Sequence, residues 1–88
     1  MKDYIDKFLE YLKNEKGYSE HTIKSYYEDI RFFYEFLKEK DIKNVDYPEI
    51  RIYLSHLYDK KYKSKTIARH ISSLRSYFRY LIREEYIW

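Results

Sequence analysis

The residues best suited to chemistry lie between positions 64 and 83. At about 100° per residue, Lys65, Arg69, Ser72, Ser76, Arg79 and Arg83 fall on one face of a helix, with Ser73 and Tyr80 beside them. That face is basic, small and hydroxyl-bearing. A solvated helix face ordinarily mixes Glu with Lys, because opposite charges four residues apart stabilise it. Here Lys60, Lys61, Lys63, Lys65, Arg69, Arg75, Arg79 and Arg83 follow one another without an intervening acid. Such charges repel one another unless an anion lies alongside. Small serines between them let a helix axis approach a groove closely. Arg and Lys can read guanine edges there, and Ser or Thr can bond base edges or phosphates. A merely solvated basic face is the plainer alternative.

A second polar group, His21, Thr22, Lys24 and Ser25, opens another predicted helix directly after Ser19. Free backbone N–H groups at a helix start attract phosphate. Ser19 has the type of an N-cap and can serve in both roles. Glu20 and Glu28 on the same helix oppose an anion, so this patch is weaker than the first.

Catalytic patterns are missing from the chain. His21, His56 and His70 are scattered over the helices, with no second histidine three or four residues away as a helical metal site would have. His56 and His70 are expected at the helix surface or boundary. None of the 13 tyrosines has an evident base or oxyanion-hole array beside it, and Gly17 stands alone, so no glycine-rich phosphate loop exists. The chain reads as non-catalytic by itself, with no metal and no cofactor.

Four apolar-periodic stretches must position these groups. The first spans about 3–16, with Ile5, Phe8, Leu9 and Leu12 on one face and Gly17 as a left-handed stop. The second, about 20–40, carries Ile23, Tyr26, Tyr27, Ile30, Phe33, Tyr34 and Leu37 as its main stripe. Phe32 and Phe36 lie outside it, so the second half is apolar nearly all round, as in a helix surrounded by others. Asp46 and Glu49 have capping-box spacing ahead of a third helix, about 47–60, which buries Ile50, Tyr53, Leu54 and Leu57. Ser64 can cap the fourth, about 65–85, whose stripe is Ile67, Ile71, Leu74, Phe78, Leu81 and Ile82. The connections are short, so neighbouring helices should pack as hairpins. An offset of 44 aligns Tyr18, Thr22, Ile23, Arg31 and Leu37 with Tyr62, Thr66, Ile67, Arg75 and Leu81, pointing to related roles for helices two and four.

Composition agrees with one small helical domain over residues 1–88. One Gly and one Pro leave too few breakers for an all-β chain, and the absence of Cys excludes disulfides and Cys-ligated zinc. No apolar run reaches the roughly 18 residues of a membrane span, and the acidic start is no signal peptide. A soluble, cytoplasmic protein without membrane contact is expected. Aromatics make up 22% of the chain and serve mostly as core volume in so small a domain. The net charge of +3 conceals an asymmetry: residues 1–59 hold 10 basic and 13 acidic side chains, whereas 60–83 are basic only. Such a division points to a polyanionic partner.

The segments SEHTIKSYYEDIRFFYEFL (19–37) and SKTIARHISSLRSYFRYL (64–81) resemble the N-terminal, SAM-like core-binding domain of tyrosine site-specific recombinases, including phage-type integrases and Xer recombinases. The resemblance runs from the Tyr4–Leu12 helix to Ile87. It implies an all-α, four-helix orthogonal bundle of two helical hairpins that covers one face of double-stranded DNA. Carried over by position, Lys24, Ser25, Lys65, Arg69 and Ser73 fall where groove-facing residues occur, and His21, Thr22 and Thr66 near backbone-contacting first turns. The family's catalytic set and nucleophilic tyrosine belong to a C-terminal domain, expected to follow Trp88 in the parent protein. That domain and other recombinase protomers on DNA are the further implied partners. The rival expectation is a helical protein-interaction module, with a contiguous exposed apolar patch that includes Phe32.

Overall fold

A computed structural model of the chain describes residues 2–38 and 40–87, the side chains of residues 2 and 3 excepted. Helix α1 spans Lys2–Asn14, α2 Glu20–Leu37, α3 Tyr47–Asp59 and α4 Ser64–Arg83, with a 3₁₀ turn at Ile42–Asn44 between α2 and α3. The described residues contain no strand.

The capping residues explain most of these limits. Ser19 caps α2, its Oγ accepting from the Thr22 backbone N–H. Asp46 and Glu49 close a reciprocal capping box at the start of α3. Expected ends differ by a few residues. Helix α2 stops at Leu37, short of residue 40, because Lys38 leaves the helical region (φ 59°, ψ −115°) while donating its N–H to Tyr34 O. Helix α4 begins at Ser64, so Ser64 is not its cap. Lys63 holds the extended N-cap geometry and supplies no side-chain hydrogen bond. At the other end, Glu85 takes a left-handed turn, and the Tyr86 N–H returns to Leu81 O in a Schellman closure. The chain then folds Ile87 into the core.

Helix α2 is central, as its two-sided apolar pattern requires. Phe33 meets Tyr53 of α3 and Phe78 of α4, and Tyr34 meets Tyr77. On the other flank, Phe8 of α1 contacts Tyr26, Tyr77 and Tyr80. The contacts Asp29–Arg69, Asp29–Ser73 and Tyr34–Tyr77 advance together, so α2 and α4 lie side by side and run the same way. Phe32 is half-buried against Tyr53, His56, Tyr62 and His70.

The buried arc of α4 departs from the stripe expected for it. Ile67, Leu74 and Leu81 are inside, but so are His70, Ser73, Tyr77 and Tyr80, while Ile82 is 52% exposed. Two neighbours cause this rotation. Phe8 and Tyr11 of α1 cover Tyr80, and a buried carboxylate on α2 satisfies the polar residues of the first half.

Candidate nucleic-acid interface

That carboxylate belongs to Asp29, only 1% exposed. Arg69 donates to it twice, from Nη2 to Oδ1 at 2.8 Å and from Nε to Oδ2 at 3.1 Å, and Ser73 Oγ donates to Oδ2 at 2.7 Å. His70 Nε2 lies 3.5 Å from Oδ1. Burying an ion costs free energy unless partners surround it, and this paired, three-bonded carboxylate meets that condition. The Arg69 side chain remains 52% exposed. Its hydrogen bonds to Asp29 raise its already high pKa, so it stays charged. With Nε and one Nη2 proton committed to Asp29, Nη1 keeps its protons for another acceptor.

His70 is held below the ordinary 6.5 chiefly by burial, and Arg69 adds to the effect while Asp29 opposes it. It is therefore a buried, neutral imidazole rather than a surface or boundary residue. Its ring stacks on Tyr62, and its Nδ1 has no hydrogen-bond partner among the described residues. His56 is half-buried beside Phe32 and Phe36. Among the described residues, no group of three or more His, Asp or Glu is placed to hold a metal ion.

The residues singled out in the sequence separate into three groups. His21 and Lys24 on α2, and Lys65, Ser72 and Arg79 on α4, are exposed. Thr22, Ser25, Thr66 and Ser76 are half-buried, and Thr22 Oγ1 accepts from Ser19 Oγ at 3.1 Å. Ser73 and Arg69 are placed differently from the free, exposed face of the helical wheel. Ser73 is 4% exposed and turned inward to Asp29, so it does not stand on an open face. Arg69 is not a free cation: it keeps its charge but is paired with the buried Asp29 carboxylate. Ser25 lies one turn before Asp29, and Arg69 one turn after Lys65, so the parallel course of α2 and α4 brings both helix starts to one end of the domain.

Asp29 itself was not singled out. It sits within the α2 stripe, three residues after Tyr26 and four before Phe33, and the offset of 44 aligns it with Ser73. A lone acid on an apolar stripe facing a serine and a histidine is the available signal.

Residues 5–85 match the family model described as phage integrase, N-terminal SAM-like domain. Tyrosine recombinase XerC of Anoxybacillus flavithermus is 43% identical over 86 residues, covering 94% of this chain and 29% of that protein. The XerC of Oceanobacillus iheyensis is 42% identical over 87 residues, covering 96% of this chain and 28% of its own length. For the XerC of Bacillus subtilis the identity is 38% over 90 residues, with 99% of this chain and 30% of that protein covered. The chain thus spans under a third of the length of these curated relatives. No solved structure matches it. The all-helical fold and the match from the first helix through the last agree: this chain belongs to the phage integrase N-terminal SAM-like domain family.

Proposed function

We propose that this domain binds duplex DNA and positions a tyrosine recombinase on its recombination site, without performing the strand chemistry itself. The observation that carries this reading is a charged, half-exposed Arg69 in the first half of α4, held by two hydrogen bonds to Asp29 in the middle of the parallel α2. A guanidinium already oriented by a carboxylate loses less freedom when it engages a base edge or phosphate. Lys24 and Ser25 on α2, with Lys65, Ser72, Ser76 and Arg79 on α4, extend the contact surface, and Ser73 acts by holding Asp29. His21, Thr22 and Thr66 meet the backbone at the first turns. The partners are double-stranded DNA, the catalytic domain of the parent recombinase and further protomers on the same DNA, all inside the cell.

An amide-resolved NMR titration with duplex DNA tests this. Shifts are expected in residues 21–25 and 65–79, with an affinity that falls with salt at a log–log slope of about −4 if four or five phosphates are engaged. Shifts confined to α3, or binding indifferent to salt, would overturn the proposal. The second reading, a protein-interaction module, draws on Tyr47, Ile52 and Tyr58, which are 72%, 59% and 63% exposed on α3. It predicts self-association without DNA, which sedimentation would detect.

A further inference from the structure

Between the end of α1 and the C-terminal half of α4 lies a cleft of about 260 Å³. Lys16, Arg79 and Arg83 line it together with Ser76 and the rings of Tyr11 and Tyr18, and no acid is among its lining residues. Arg83 sits 4.6 Å above the centre of the Tyr11 ring, with Nη1 3.5 Å from the Tyr11 hydroxyl. Lys16 Nζ approaches the same ring at 6.0 Å. One tyrosine therefore gathers two cations, and only Arg83 has an acid partner, Glu84 at 3.1 Å, among the described residues. Arg79 makes no ion pair among them. Cations converging in a concavity repel one another, and the arrangement is relieved when an anion enters.

The cleft also continues the polar face of α4. Ser72, Ser76 and Arg79 follow one another along the helix towards it. Arg79 lies ten residues beyond Arg69, or about 15 Å along the axis. The major groove is about 12 Å wide, so a helix that crosses the groove with Arg69 at its floor would bring Arg79 to the flanking strand. In that crossing the groups within its reach would be phosphates rather than base edges.

We infer that this cleft is a socket for a backbone phosphodiester of the bound duplex, with Lys16, Arg79 and Arg83 as its cations and the Tyr11 and Tyr18 rings against the adjoining sugar. The inference rests on the DNA-binding reading and extends the α4 surface that already holds Ser76 and Arg79 to Arg83 and to Lys16 and Tyr11 at the end of α1. It is a sequence-independent clamp, because a phosphodiester carries no base identity.

The experiment compares duplex binding by fluorescence anisotropy at several salt concentrations for the 88-residue chain, Arg79→Gln, the double variant Lys16→Gln/Arg79→Gln, and Lys65→Gln. Circular dichroism checks that each is folded, which the exposure of Lys16 and Arg79 favours. Arg79→Gln should weaken binding roughly three- to tenfold, equally for unrelated duplex sequences, and flatten the salt slope by about 1, with the double variant flattening it by about 2. Unchanged affinity and slope in both cleft variants, with Lys65→Gln impaired, would overturn the socket and leave the DNA-binding reading standing. An unmodified chain that binds no duplex would overturn both. Inorganic phosphate serves as the free-anion control: cleft amide shifts produced by phosphate alone, and not by duplex, would assign the cleft to a small free anion and overturn the backbone assignment.

Discussion

Asp29 and Arg69 are joined by two nearly parallel hydrogen bonds, of 2.8 and 3.1 Å, that tie the middle of α2 to the first half of α4. The pair is asymmetric: the carboxylate is buried and the guanidinium half-exposed. Losing the arginine therefore strands a buried charge, whereas losing the carboxylate leaves a cation that water can reach.

Arg69→Ala should destabilise the domain by about 2–3 kcal/mol, below the full cost of opening a wholly buried pair because water gains access to the site. Arg69→Lys recovers only part, since an ammonium cannot reproduce the two-pronged fit. Arg69→Glu places two carboxylates together and should unfold the chain, so charge reversal at Arg69 does not isolate its DNA contact. Urea unfolding followed by circular dichroism measures all three.

His70 provides a pH signature. Its folded-state pKa is depressed, chiefly by burial, with Arg69 adding and Asp29 opposing; the Phe32 and Tyr62 rings enclose the remainder. The unfolded chain thus binds the proton more readily. The stability that the neutral imidazole contributes is present above the ordinary pKa of 6.5 and is lost as pH falls through it. The thermal midpoint should drop as pH falls below 6.5, and His70→Leu should flatten that limb. An identical limb in the variant would remove His70 as its source.

Tyr34 and Tyr77 share a buried hydrogen bond of 2.6 Å between their hydroxyls. Burial pushes Tyr34 up to about 12, a rise that its bond to Tyr77 partly offsets, and raises Tyr77 further. Protonated phenols belong to the folded state, so their contribution is complete below pH 10.0 and is lost as pH rises towards 12. Their phenolate absorbance should appear together with loss of helical signal. Tyr77→Phe leaves the Tyr34 hydroxyl buried without this partner and should cost about 1–2 kcal/mol. The double Phe variant should cost less than the sum of the singles.

Lys38 stores strain. Its φ of 59° and ψ of −115° lie where glycine alone is comfortable. Lys38→Gly should stabilise the domain by about 1 kcal/mol in urea unfolding. A loss of stability would show that the turn after α2 is held by the lysine side chain instead.

Helix number, order and most caps were legible from local rules, because Ser19 and the Asp46–Glu49 box act within one turn of themselves. The central place of α2 followed from Phe32 and Phe36 outside its main stripe. The orientation of α4 was not legible to the same degree. A helical wheel weighs each side chain separately, so it sends Ser73 and Arg69 to solvent and keeps Ile82 inside. In the folded chain Asp29 makes burial of Ser73 and His70 favourable, and α1 supplies a cover for Tyr80. Both effects depend on partners about forty or more positions away, beyond the reach of a local pattern. The same limitation applies at the candidate interface: its exposed cations were readable one by one, whereas the carboxylate that orients Arg69 was not.

The closure at Glu85 has a consequence for synthesis on the ribosome. Tyr86 stacks on Tyr4 at 5.0 Å, and Tyr80 packs against Phe8 and Tyr11, so the first helix, which meets Tyr26 of α2 early, completes its cover only with the last helix to be translated. A nascent chain that has emerged as far as α3 has an unfinished core and leaves part of the apolar face of α1 uncovered. Folding of this domain should therefore be post-segmental: it waits until residues near Ile87 have left the exit tunnel, then proceeds in a single cooperative step.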